Sequence, residues 1–158
     1  MRRPPKPSHE DIVWLQDYLP YRLAVAATRM LRDAAHVYKE RRNPLTTAQW
    51  RTLAILANHE PLTATELCRI SMLHKVAISR ALAQLQRRGF VARQRIHDDR
   101  RSRQISLAAN GWRYYNELVP EIKRRERTLR ALLKDGELER LYDLLDRFDA
   151  FFATKEGG

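Results

Sequence analysis

Apolar positions along the first quarter of the chain recur at helical spacing. From Asp11 to about Arg42, residues Ile12, Leu15, Leu19, Leu23, Ala27, Met30, Leu31, Ala34 and Tyr38 follow steps of three and four, predicting a helical run that Pro20 breaks or kinks and Asn43-Pro44 ends. Two capping boxes come next. In Thr46-x-x-Gln49 and Thr63-x-x-Glu66 a hydroxyl is placed to accept the third helical N–H while the Gln or Glu side chain reaches back. Leu53, Leu56, Leu67 and Ile70 supply inward faces, and a turn spans Ser71 to Leu73. A helix from His74 to Arg88 is stopped by Gly89. It points Ile78, Ala81, Leu82 and Leu85 inward, leaving Lys75, Ser79, Arg80, Ala83, Gln84 and Arg87 to face elsewhere. After Gly89 the period drops to two, so Phe90 to Ile96 and Gln104 to Leu107 read as strands joined by a loop, His97 to Arg103. Helical periodicity returns at Ala109, with interruptions expected near Pro120 and at Lys134-Asp135-Gly136, where Asp135 is placed to cap the last helix. There Leu138, Leu141, Leu145, Phe148 and Phe152 form a heptad-like seam wider than one small domain covers, which predicts a homodimer.

Helix, helix, recognition-type helix and β-hairpin, in that order, make a winged helix-turn-helix. The expected fold is therefore mainly α with a small β-hairpin wing, plus a helical dimerisation region from the N- and C-terminal helices. The corresponding divisions are residues 1–8, a disordered basic arm (MRRPPKPS); 9–44, N-terminal dimerisation helices; 45–108, the winged helix-turn-helix; and 109–158, C-terminal dimerisation helices.

Charge sharpens this picture. Of the net +11, the segment from Leu67 to Gln104 holds +8, with ten Lys and Arg against Asp98 and Asp99, whereas the stretch after it is balanced. A contiguous cationic stripe on an otherwise ordinary chain is the footprint of a nucleic-acid contact. No apolar run is long enough to span a bilayer and the basic start is followed by Glu10 and Asp11, so the expected location is cytoplasmic, with no membrane partner. The five glycines form no phosphate-binding loop, and no nucleophile–base pair or paired carboxylates stand at useful spacing; the chain is not expected to be an enzyme or to carry a cofactor. The five histidines lie at least fifteen residues apart, so no local metal motif exists. The single cysteine, Cys68, reads as a buried structural thiol rather than a redox sensor.

Several collinear segments carry a family resemblance. Leu45-Thr46-Thr47-Ala48-Gln49-Trp50-Arg51-Thr52-Leu53, Leu62-Thr63-Ala64-Thr65-Glu66-Leu67, KVAISR from Lys75 to Arg80, Leu85-x-x-x-Gly89-Phe90-Val91-x-Arg93, Asp99-Arg100-Arg101-Ser102 and Leu107-x-x-x-Gly111 resemble the MarR family of bacterial transcription regulators. The resemblance implies a triangular homodimer whose winged helices meet double-stranded DNA at a roughly palindromic operator. It further implies that Asp99 orients Arg101, which enters the minor groove. The chain departs from the family pattern at His74 (usually Asp), Ala77 (usually Ser or Thr) and Ala108, where the usual Thr would cap the following helix.

On this reading the candidate DNA-binding residues are Thr63, Thr65, Lys75, Ala77, Ser79, Arg80, Gln84, Arg100, Arg101 and Arg103, with Asp99 as the wing-orienting acid. Arg80 suits a bidentate contact to guanine and Ala77 the methyl of thymine; holding phosphate only is the other reading of Arg80. MarR-like repressors resemble one another in being released from DNA by a small, often aromatic or anionic ligand. The implied cleft would use Trp14, Tyr18, Tyr21, Arg22, Trp50, Trp112 and Tyr115, although aromatic residues at helical spacing also serve as core or dimer seam. The competing function is an architectural or RNA-associated winged-helix protein without ligand control.

Overall fold

The structure is a computed structural model that describes residues 12–95 and 103–156. Its elements, in chain order, are α1 (Leu19–Lys39), α2 (Thr47–His59), α3 (Ala64–Ser71), α4 (Lys75–Arg87), β1 (Val91–Arg95), β2 (Arg103–Leu107), α5 (Ala109–Arg130) and α6 (Glu137–Glu156). The chain is thus mainly helical with one antiparallel hairpin, in which Val91 faces Leu107 and Arg95 faces Arg103. It divides into two compact units, one up to Thr47 and one from Ala48 onward.

In the first unit the expected break falls at Pro20, where α1 begins: the helix starts at Leu19 with the proline in its first turn. A proline lacks the N–H that a first-turn position would leave unsatisfied, and its fixed φ suits helix entry. Upstream, Trp14 to Tyr18 form a separate turn in which the Asp17 and Tyr18 amides donate to Trp14 O. Beyond the C-terminal end of α1 the chain folds back, with Leu45 N donating to Tyr38 O at 2.8 Å and the Tyr38 hydroxyl to Thr47 Oγ1 at 3.4 Å.

In the second unit, Leu53, Leu56, Leu67, Ile78, Ala81, Leu82 and Leu85 are buried as expected, whereas Ile70, near the end of α3, is only half-buried. Val91, Ile105, Leu107 and Leu118 complete this core. The inward face of α4 is the one its periodicity predicts. Leu62 adds a contact that the pattern conceals: its N–H and C=O pair with Ile105 at 3.0 and 2.7 Å, making a third rung beside the hairpin. A single residue carries no period, so nothing in the sequence marks it.

Two expectations are corrected. Helix α5 runs through Pro120 without interruption. One proline removes one ladder bond, and a 22-residue helix retains the rest. The break between α5 and α6 does fall before Glu137, but the reach-back there is made by Glu137, whose carboxylate accepts the Lys134 N–H at 2.8 Å, and not by Asp135. Helix α5 starts at Ala109 with no side-chain cap, as the absence of a hydroxyl at Ala108 requires; neither Ala108 nor Asn110 supplies one. Its entry is held by the backbone, with Ala108 N donating to Phe90 O at 3.0 Å.

Candidate nucleic-acid interface

Helix α3 opens with the complete box expected of its sequence. The Thr63 N–H donates to Glu66 Oε2 at 2.7 Å, the Glu66 N–H to Thr63 Oγ1 at 3.2 Å, and the Thr63 hydroxyl to Glu66 Oε2 at 2.8 Å. These bonds from the Thr63 backbone and hydroxyl hold the Glu66 carboxyl below its ordinary range. The Thr63 hydroxyl proton is therefore spent on a fixed negative charge. That environment is unsuited to a phosphate, whereas Thr65, two residues on, is exposed and its hydroxyl makes no hydrogen bond among the described residues.

After Ser71 the chain turns through Met72, a non-glycine residue at φ 52. His74 then caps α4: its ring Nδ1 accepts the Val76 N–H at 3.4 Å, filling the place of the family's usual Asp without adding an acid. Lys75, Ser79 and Arg80 are exposed on the first turns of α4, Ala77 is half-buried, and the helix contains no acidic residue. Gly89, at φ +66, closes α4 in the left-handed conformation that glycine adopts without strain.

A cavity of about 340 Å³ opens between α3, α4 and β1, lined among others by Thr65, Cys68, Lys75, Ser79 and Arg93. This corrects the reading of Cys68, which is half-exposed on the cavity wall rather than buried. It also brings in Arg93, an exposed strand residue absent from the candidate set. The sequence marks Arg93 only as one member of the cationic stripe, since by strand alternation it shares the phase of the buried Val91. Arg88 behaves differently: its guanidinium lies 4.6 Å from the Phe90 ring centre, and that ring stacks on Tyr114 at 5.0 Å.

Gln84, expected among the DNA contacts, commits its carbonyl oxygen to Gln49 Nε2 at 2.7 Å. Arg103 is exposed at the start of β2. Asp99, Arg100 and Arg101 lie outside the described residues.

The aromatic candidates are divided between the two units of the chain. In the second unit Trp50 stacks on Tyr115 at 5.8 Å, and Trp112 meets Tyr115 edge-on at 6.0 Å. In the first unit Tyr21 and Arg22 line an open groove together with Val25 and Arg29, and Arg22 Nη1 donates to Gln16 O at 3.4 Å. Trp14 and Tyr18 are exposed in that unit. On α6, Leu141, Leu145 and Phe152 are 38%, 38% and 56% exposed, with Leu138 and Phe148 half-buried. Among the described residues no cluster of three or more His, Cys, Asp or Glu is placed to hold a metal, and no helix is long and apolar enough to cross a membrane.

A basic helix without acids, packed on a capped helix and followed by a hairpin, defines a winged helix-turn-helix DNA-binding transcriptional regulator. The MarR family model matches the chain over residues 43–102, which take in α2, α3, α4 and β1. The homoprotocatechuate degradative operon repressor of Escherichia coli is 29% identical over 128 residues, covering 79% of this chain and 86% of the relative. A probable transcriptional regulator from Pseudomonas aeruginosa superposes with a TM-score of 0.68 at 28% identity, over 85% of this chain and 99% of that one. NadR, solved in complex with 4-hydroxyphenylacetate, superposes with a TM-score of 0.73 at 21% identity, over 92% and 97%.

Proposed function

We propose that the protein is a sequence-specific repressor that binds double-stranded DNA as a homodimer and is released by a small aromatic acid. The observation that carries the reading is the exposed cationic start of α4, where Lys75, Ser79 and Arg80 stand together without an acid, beside a cavity that Arg93 and Thr65 also line. In this assignment the first half of α4 enters the major groove, with Arg80 reading guanine and Ala77 meeting a thymine methyl. Lys75, Thr65 and Arg93 hold phosphates. The wing residues Arg100, Arg101 and Arg103 track the minor groove, with Asp99 aiming Arg101 through a charge-assisted bond. Thr63 drops out of the phosphate set because its hydroxyl is occupied.

The exposed seam on α6 supports a second copy as partner, which makes the operator a rough palindrome with half-sites about 10 bp apart. An aromatic acid as effector is supported by the Trp50–Tyr115–Trp112 ring cluster, by the arginines of the Tyr21 groove, by the 4-hydroxyphenylacetate bound to NadR, and by the homoprotocatechuate for which the operon of the Escherichia coli repressor is named.

The test is a selection of bound duplexes from a random pool, followed by titration of the enriched site over a range of salt. If two subunits together neutralise about eight phosphates, the log–log slope is about −7. Enrichment of a palindrome bound roughly 10³-fold or more over random DNA is expected, with release by 4-hydroxyphenylacetate or a related acid. Equal affinity for all duplexes supports the architectural reading instead.

A further inference from the structure

Gln49 is 5% exposed on α2, yet its side-chain amide reaches across to α4, 35 positions later, where Nε2 donates to Gln84 Oε1 at 2.7 Å. Two residues along the same helix, Arg51 Nη1 donates to the carbonyl of Ser71, the last residue of α3, at 3.1 Å. The two bonds from α2 thus bracket the turn at Met72 to His74, one on each limb of the helix-turn-helix.

We propose that Gln49 is a positioning residue for DNA recognition, fixing through Gln84 the rotation of α4 about its own axis. The inference rests on the proposed role of α4 in reading bases. The apolar face of α4, Ile78, Ala81, Leu82 and Leu85, holds the helix against the core, but apolar contacts are non-directional and tolerate small rotations. A hydrogen bond weakens steeply as its angle departs from linear, so a bond to the side of the helix resists the motion that packing permits. Gln84 stands one turn beyond Arg80, so whatever fixes the one fixes the bearing of the other. Base edges demand that bearing, because a bidentate pair forms in one orientation only, whereas phosphate contacts follow a long flexible side chain. Gln49 thereby serves discrimination between sequences without touching DNA.

The experiment uses the full chain and two duplexes, the pool-selected site and a random one of equal length. Gln49→Met and Gln84→Met keep the side-chain length and remove the bond. Each is expected to lower the selected-to-random affinity ratio about tenfold, with the random duplex and the salt slope unchanged and the double variant no worse than either single one. Hydrogen exchange of the α4 amides in the DNA-free protein is expected to quicken in Gln84→Met, which keeps the test open if Gln49→Met does not fold. An unchanged ratio, losses that multiply in the double variant, equal weakening on both duplexes, or unchanged exchange in Gln84→Met overturns the positioning role. If the unmutated protein prefers no duplex, the repressor reading fails and takes this role with it; if it does and the variants retain the ratio, the positioning role alone fails.

Discussion

The carboxylate of Glu60 accepts the backbone N–H of Leu107 at 2.5 Å, fastening the end of α2 to the last residue of β2. Glu60 is half-buried, so removing the acceptor leaves an amide poorly supplied with water. Glu60→Ala is expected to cost about 1–3 kcal/mol, lowering the melting temperature by roughly 2–4 °C for each kcal/mol in a chain of this size. Glu60→Gln keeps a carbonyl acceptor and should recover most of the loss. Thermal melts of the two variants check the ordering, and equal losses would point to packing rather than the bond.

Gly111 is a position where no side chain fits. A methyl group there would lie 2.0 Å from the carbonyl oxygen of Phe90, a backbone atom that cannot swing aside. Gly111→Ala is expected to destabilise by about 3 kcal/mol or more, at the upper end for overpacking, despite the usual helical advantage of alanine. A chemical denaturation series on the purified variant measures it.

These two contacts show where sequence reading reaches its limit. The Thr63 box, the α4 core face and the hairpin were legible because each is encoded within a few residues, by a cap, a period of 3.6 or a period of two. The cationic candidates were legible as a stripe, but membership was not: Arg93 joined the cavity and Arg88 went to the Phe90 ring on the strength of tertiary placement. Gln49–Gln84 and Glu60–Leu107 join positions 35 and 47 residues apart, and local periodicity carries no information on such pairs. Pro20 and Pro120 carry the same local signal of a break. The chain does break at the first, which begins a helix, but runs helically through the second, because proline's effect depends on whether its missing N–H was needed.

Acid should loosen α5. The guanidinium of Arg124, by hydrogen bond and charge, and then that of Arg125 hold the Glu121 carboxyl down at about 2, against an ordinary value of 4.5. The folded value lies below the unfolded one, so the contribution is fully present above pH 4.5 and is lost as pH falls towards 2. Glu121 is exposed enough for salt to screen it. Melting temperature should therefore fall over this window less steeply in Glu121→Gln than in the unmutated chain, and the difference should shrink in high salt.

Arg80 and Arg93 are expected to fail differently. Arg80→Ala should cost about 1–3 kcal/mol on the selected duplex and relax preference at one base pair, whereas Arg93→Ala should weaken all duplexes alike and reduce the salt slope by about one. Fluorescence anisotropy on matched and singly substituted duplexes separates the two. A uniform loss in Arg80→Ala would assign Arg80 to phosphate.

The α6 seam predicts its own variant. Leu145→Arg places a charge among Leu141, Tyr142 and Phe152 on a face that a single chain leaves exposed. It should shift the protein from dimer to monomer in sedimentation with little loss of helicity, and reduce operator affinity because two half-sites are no longer engaged together.

Phe90 is the meeting point of the reading head and the long helix behind it. Its N–H is bound to Leu85 O at the end of α4, its C=O receives Ala108 N–H at the root of α5, its ring stacks on Tyr114, and Gly111 presses against its backbone. A 22-residue helix anchored at one end is a lever about 33 Å long. A tilt of about 5° at this fulcrum carries the far end through about 3 Å. Run in reverse, the same gearing turns a broad excursion at Arg130 into a fine adjustment beside the last turn of α4, with little play in the joint to absorb it.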